Sequence, residues 1–258
     1  LNIYETNKNN WTPSSWNRFD KKEIYGAPIT KIAINSNAND KAISDPSHYL
    51  VTYLRRKLYN NGYKLNHKII NKKYINTKAD KMILEVRSAN LLSLLTLANS
   101  ESHNFTSEIL LRNAFNDWDI KNLEKRTDSW LKSSYLPIEG FAFADASGLS
   151  RANKLTTFGL SSFLWYINQQ YFSKYYFSSL SLYGIRGTLK ESPYVSELYG
   201  KFLGKTGTLK GIRSISGKLT YKEKPYFISI IANKIGNDDE YVLRLLSLIA
   251  KNSKCSNS

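Results

Sequence analysis

Phe202-Leu203-Gly204-Lys205-Thr206-Gly207-Thr208-Leu209-Lys210-Gly211 puts a lysine, two hydroxyls and side-chain-free glycines on one extended segment. Side chains alternate along a strand, so Lys205 and Gly207 share one face and Thr206 and Thr208 the other, unless the strand twists locally. Gly207 lacks a Cβ and lets another backbone lie close. A cation, hydroxyls and open backbone together make an edge strand that can hold a carboxylate while a peptide lies along it. The competing reading is a solvated edge strand blunted by its lysine. Residues 211–221, with Ile212, Ile215 and Leu219, and 225–233 read as two further strands. Asn237-Asp238-Asp239 then caps a last helix carrying Val242, Leu245, Leu246 and Ile249. Hairpinned strands followed by a helix imply an antiparallel sheet with helices packed on it, an α/β protein of the α+β kind.

Upstream, Thr156 caps an aromatic helix running to about Tyr171, residues 121–135 form another, and 141–144 read as a short buried strand. Leu91, Leu92, Leu94, Leu95 and Leu97 make an apolar helix ending near Asn99-Ser100, and a helix with Ile109, Leu110 and Phe115 follows. Asp45-Pro46 is an N-cap followed by proline at the first helical position, Leu50, Leu54 and Leu58 repeat every four residues, and Gly62 supplies the stop. Residues 28–34 and 82–86 are expected as strands, and 63–81 as a basic linker or irregular hairpin.

The 258 residues can bury a sizeable core. A formal charge of +16 is compatible with nucleic acid or another anionic polymer, but the basic residues are spread along the chain and no nucleic-acid module accompanies them, so no nucleic-acid partner is expected. There is no integral membrane segment or leader-like apolar run, and the chain opens on Leu1, which points to a missing front segment. The single cysteine, Cys255, excludes an internal disulfide. His48, His67 and His103 are scattered, so no metal and no cofactor are expected.

Ser-x-Asn occurs three times, at Ser15, Ser88 and Ser102. Ser102-His103-Asn104 occupies a short turn between two apolar helices, where a hydroxyl and an amide can be braced rigidly. Helix capping by Ser102 or Asn104 is the alternative. The one Ser-x-x-Lys in view, Ser129-Trp130-Leu131-Lys132, follows this motif and belongs to an amphipathic helix with Trp130 and Leu131 as packing residues.

Ser100-Glu101-Ser102-His103-Asn104, then Asp145-x-Ser147-Gly148-Leu149-Ser150-Arg151-x-Asn153, Gly187-Thr188-Leu189 and Lys205-Thr206-Gly207-Thr208-Leu209-x-Gly211 together resemble the D-alanyl-D-alanine carboxypeptidases of the DacB type, peptidase family S13, over most of residues 90–233. The resemblance implies a serine β-lactamase/DD-peptidase (transpeptidase-like) fold. Residues 1–88 would be the C-terminal part of an inserted accessory module and 89–258 the catalytic domain. By the same resemblance Ser102, Asn104 and Lys205 are catalytic: Ser102 relays a proton to the leaving amine, Asn104 orients substrate amides, and Lys205 supplies positive potential. Thr206, Gly207 and Thr208 bind substrate, with the Thr208 N–H as half of an oxyanion hole.

The family's nucleophilic Ser-x-x-Lys precedes the inserted module, so it is expected before residue 1 and this chain is expected to be inactive alone. Asp145, Ser147 and Arg151 are read as a turn whose side chains cap backbone groups, and Arg186 as either a contact for a stem-peptide carboxylate or a solvated cation. The implied function is serine-type hydrolysis of peptidoglycan stem peptides through an acyl-enzyme, with peptidoglycan peptides and β-lactams as partners and a periplasmic or envelope location. A non-catalytic cell-wall peptide binder and a basic nucleic-acid-binding protein remain the alternatives.

Overall fold

A computed structural model describes residues 2–66, 68–70, 85–134, 136–236, 238 and 240–252. Its elements are β1 (Asn2–Tyr4), α1 (Pro46–Tyr59), β2 (Lys68–Ile70), α2 (Leu91–Asn99), α3 (Asn104–Phe115), α4 (Ile120–Ser133), α5 (Thr157–Asn168), α6 (Ser173–Ser178), β3 (Ser181–Leu182), β4 (Phe202–Leu209), β5 (Ile212–Tyr221), β6 (Lys224–Asn233) and α7 (Tyr241–Asn252), with short 3-10 turns between them. Contacts divide them into two units, residues 1–88, 107–126 and 144–152 in the first and 89–106, 127–143 and 153–258 in the second.

The second unit is built on an antiparallel sheet of order β3-β4-β5-β6. Phe202, Ile215, Leu219 and Ala232 bury one face against Val242, Leu246 and Ala250, which recur every four residues on α7. Leu203 and Phe227, on the opposite face, pack with Leu164, Ile167, Phe177 and Leu180 from α5, α6 and the turn after them. The expected antiparallel sheet flanked by helices is therefore present. Thr156 caps α5 by accepting from the Gly159 N–H at 3.0 Å, as its place in the sequence requires. β3 pairs only with Leu203 and Gly204 of β4, so β3 leaves the β4 edge from Lys205 to Leu209 uncovered.

In the first unit β1 and β2 pair in parallel. Asp45 caps α1 by accepting from the His48 N–H at 3.1 Å, Pro46 stands at the first turn, and Val51 is the residue the helix buries most deeply, with Leu50, Leu54 and Leu58 half-buried. A buried carboxylate organises the 144–152 turn: Asp145 accepts from the Gly148 N–H (2.9 Å), the Ser150 N–H (2.6 Å) and Trp16 Nε1 (2.6 Å). Beside it, Glu108 accepts from the Ala146 and Ser147 N–H groups at 2.8 and 2.9 Å and from Arg112 Nη1 at 2.6 Å. Asp145 is thus a cap, as read from the sequence. Ser147 is not, because its buried hydroxyl lacks a hydrogen-bond partner.

Residues 28–34 do not form the expected strand. Their polar groups are taken elsewhere: Ile29 N–H by the Trp11 carbonyl, Lys31 and Ile32 N–H by the Glu5 carboxylate, and the Pro28 carbonyl by Asn37 Nδ2. Ile32 is 40% exposed. Residues 141–144 make one bridge, Ala142 to Lys154, in place of a strand. Within 82–86, residues 82–84 lie outside the described residues, as do most of 63–81, and 85–86 are not in a strand. His67, Asn237, Asp239 and Cys255 are also outside them.

Candidate active site

Lys205 lies on β4 opposite Ser216 of β5, on the sheet face that carries Leu203. Ser102 comes from the turn between α2 and α3, separated from Lys205 by 103 positions in sequence. Their side chains meet: Lys205 Nζ donates to Ser102 Oγ at 2.6 Å and to the Thr206 carbonyl at 2.7 Å. Burial, without a carboxylate in either of these bonds, lowers the lysine pKa to about 8. The group is thus a cation at neutral pH that gives up its proton more readily than a solvated lysine.

The turn that delivers Ser102 is tight. Ser100 N–H ends α2 on the Thr96 carbonyl, His103 N–H returns to the Leu97 carbonyl, and Ser102 takes a left-handed φ of 57°. Such a backbone is unfavourable for a residue with a Cβ and persists where its surroundings impose it. Asn104 opens α3, half-buried, two residues beyond Ser102. His103 places Nδ1 at 2.7 Å from Thr106 Oγ1, and burial holds its pKa below the usual histidine value, so it is a satisfied neutral ring. The flanking helices are less buried than the sequence implied. Leu91 of α2 is 63% exposed, and Ala98 is that helix's buried residue.

Thr206 Oγ1 donates to Thr188 Oγ1 at 2.9 Å. Gly207 sits opposite Ser214, where a Cβ would stand 2.4 Å from Ser214 Oγ. Thr208 is exposed and faces Arg213 across the β4–β5 pair. The arrangement joins a hydroxyl to a lysine beside an uncovered strand edge, which can transfer a proton and fix an anion on an extended chain.

Arg186 is not simply a solvated cation, since its guanidinium donates to the Ser178 and Leu180 carbonyls and fastens its own loop. Ser129 lies exposed on α4 with Lys132 paired to Asp128 at 2.6 Å, and Trp130, expected to pack, is 49% exposed. Sequence reasoning missed Ser181 and gave Thr188 no role. Ser181 is fully buried and donates to the Ser100 carbonyl at 3.0 Å. Its one legible signal was a serine between Leu180 and Leu182. No group of metal-ligating side chains occurs among the described residues, and no helix there is long and apolar enough to cross a membrane.

A family model described as the D-Ala-D-Ala carboxypeptidase 3 (S13) family matches residues 31–244. Among solved structures, penicillin-binding protein 4 (dacB) of Haemophilus influenzae matches with a TM-score of 0.77 at 16% identity, over 94% of this chain and 71% of that one. A structure of the same protein complexed with a β-lactam matches with a TM-score of 0.70 at 20% identity, over 83% of this chain and 51% of that one. A predatory endopeptidase of Bdellovibrio bacteriovorus, in complex with an immunity protein, matches with a TM-score of 0.55 at 18% identity, over 80% of this chain and 56% of that one. The chain thus spans between half and seven-tenths of these structures, and its fold is that of the serine β-lactamases and DD-peptidases. Comparison with curated protein sequences finds no match.

Proposed function

The chain belongs to the D-Ala-D-Ala carboxypeptidase 3 (S13) family, a family of serine hydrolases of the cell wall, and from that premise we propose that it carries the substrate-binding and proton-transfer half of a DD-peptidase site. The substrate is a peptidoglycan stem peptide ending in D-Ala-D-Ala, cleaved through an acyl-enzyme as a carboxypeptidase or endopeptidase. The observation that carries this reading is the 2.6 Å contact from Lys205 Nζ to Ser102 Oγ. An alcohol beside a lysine whose pKa lies near 8 can pass a proton to a leaving amine.

The substrate lies along the free edge of β4, and its terminal carboxylate meets Lys205 and the Thr208 hydroxyl, the Thr206 hydroxyl being donated to Thr188. Asn104 orients the substrate amides, Gly207 leaves room for the peptide backbone, and the Thr208 N–H stabilises the developing oxyanion. The same groups hold β-lactams, and the enzyme works in the periplasm. Residues 1–88 are the late part of an accessory module and 89–258 the catalytic domain, with 107–126 and 144–152 folding together with the former. The acylated serine of a Ser-x-x-Lys is supplied from outside residues 1–258.

Two measurements test the reading. Calorimetric titration with diacetyl-L-Lys-D-Ala-D-Ala should give binding that is lost on C-terminal amidation and in Lys205→Met. Equal binding of acid and amide would refute the carboxylate site. Labelled penicillin should leave the purified chain unmodified, and stoichiometric labelling would show the nucleophile to be within it.

A further inference from the structure

We propose that Ser181 and Thr188 are positioning residues of this site, their hydroxyls forming a directed hydrogen-bond chain that ties the Ser100–Asn104 turn to β4 and so sets the approach of Ser102 to Lys205. The direction of the chain follows from counting protons. Ser181 has one hydroxyl hydrogen, and it goes to the Ser100 carbonyl at 3.0 Å. The 3.1 Å contact between Ser181 Oγ and Thr188 Oγ1 must then be donated by Thr188. That uses the Thr188 hydrogen, so Thr206 must be the donor in its 2.9 Å contact with Thr188. The path runs from Thr206 on β4 through Thr188 and Ser181 to the first residue of the turn that holds Ser102.

Backbone contacts reinforce the brace. The Thr188 N–H donates to the Ser100 carbonyl at 3.0 Å and to Ser181 Oγ at 3.2 Å. Gly187 makes this closeness possible: its φ is 68°, and a Cβ there would stand 2.2 Å from Ser100 Oγ and 2.6 Å from both the Ser100 carbonyl oxygen and Ser181 Oγ. Asn99 Nδ2, donating to Ser179 Oγ at 2.8 Å, anchors the end of α2 just before the turn. Ser102, with its unfavourable φ, thus sits beside a frame of hydroxyls and carbonyls.

The value of this brace to catalysis rests on the peptidase reading, whereas the brace itself is tested without turnover. Lys205 is the reporter, because burial depresses its pKa and its ammonium donates to Ser102 of the turn. Its side chain can be followed by NMR in the full 258-residue chain with labelled lysine, assigned by loss of the signal in Lys205→Met. In Thr188→Val and Ser181→Ala the turn should loosen, water should reach the ammonium, and its titration should move upward by about one pH unit. Thr188→Ser keeps the hydroxyl and should titrate like the parent. A folded Thr188→Val with the parental titration would overturn the proposal, as would a Thr188→Ser that shifts as far as the valine variant. Thr188 is exposed, so this pair decides the matter even where Ser181→Ala fails to fold. Failure of the D-Ala-D-Ala binding test with the lysine shifts intact would refute the peptidase reading and leave the brace standing.

Discussion

Lys205 keeps its charge at neutral pH and loses it sooner than a solvated lysine, because burial lowers its pKa to about 8. On the proposed reading the ammonium attracts a substrate carboxylate below that pH, and above it the attraction is lost. Affinity for a D-Ala-D-Ala peptide should therefore be flat from about pH 6 to 7 and fall as pH rises beyond about 8. The bound carboxylate itself favours the charged lysine and draws the fall towards higher pH. Calorimetry across this range checks the sign, and affinity that rises with pH would contradict it. Ser102 gives a second residue-scale test. Its left-handed backbone costs roughly 1–2 kcal/mol for a residue with a Cβ, so Ser102→Gly should fold as stably as the parent or more so while losing the Lys205 contact. Ser102→Val, whose branched Cβ fits the left-handed region still less well than serine, should lower stability by about 0.5–3 kcal/mol in urea unfolding.

The strands β4 and β5 hold the lysine in register through two glycines whose neighbours leave them no room. A Cβ on Gly217 would come within 2.2 Å of the Leu203 carbonyl oxygen, which as backbone cannot turn aside, and one on Gly204 would meet the Phe202 ring at 2.3 Å. Gly217→Ala is expected to destabilise by about 1–3 kcal/mol or more, whereas Gly236→Ala, with open space around it, should be near neutral. Chemical denaturation of the two variants side by side distinguishes this packing effect from general glycine loss. The elements legible in the sequence were those whose signals are local. The α1 cap, the Thr156 cap of α5, the hairpins and the four-residue apolar spacing of α7 each depend on nearby residues. Residues 28–34 misled for the opposite reason, because an apolar run became irregular chain once a carboxylate 26 positions away took its N–H groups.

Across the first unit, stretches far apart in sequence are joined by two buried carboxylates. Glu108 is 2% exposed, pairs with a fully buried Arg112 and satisfies two backbone N–H groups of the 144–152 turn. Removing it would leave a buried guanidinium and two amides without their acceptor, so Glu108→Ala should cost about 3–5 kcal/mol. Thermal unfolding followed by tryptophan fluorescence would register the loss, and a change below about 0.5 kcal/mol would show the pair to be dispensable. The amino-acid sequence by itself determined the fold class, the strand that carries Lys205 and the choice of Ser102 over Ser15 and Ser88, because hydrophobic period, caps and motif order are properties of neighbours along the chain. Only the tertiary structure decided that Lys205 and Ser102 touch, that Arg186 fastens its own loop, and that Ser181 and Thr188 brace the turn. Those contacts join residues brought together by packing the sheet against its helices, and no local pattern encodes the distance between them.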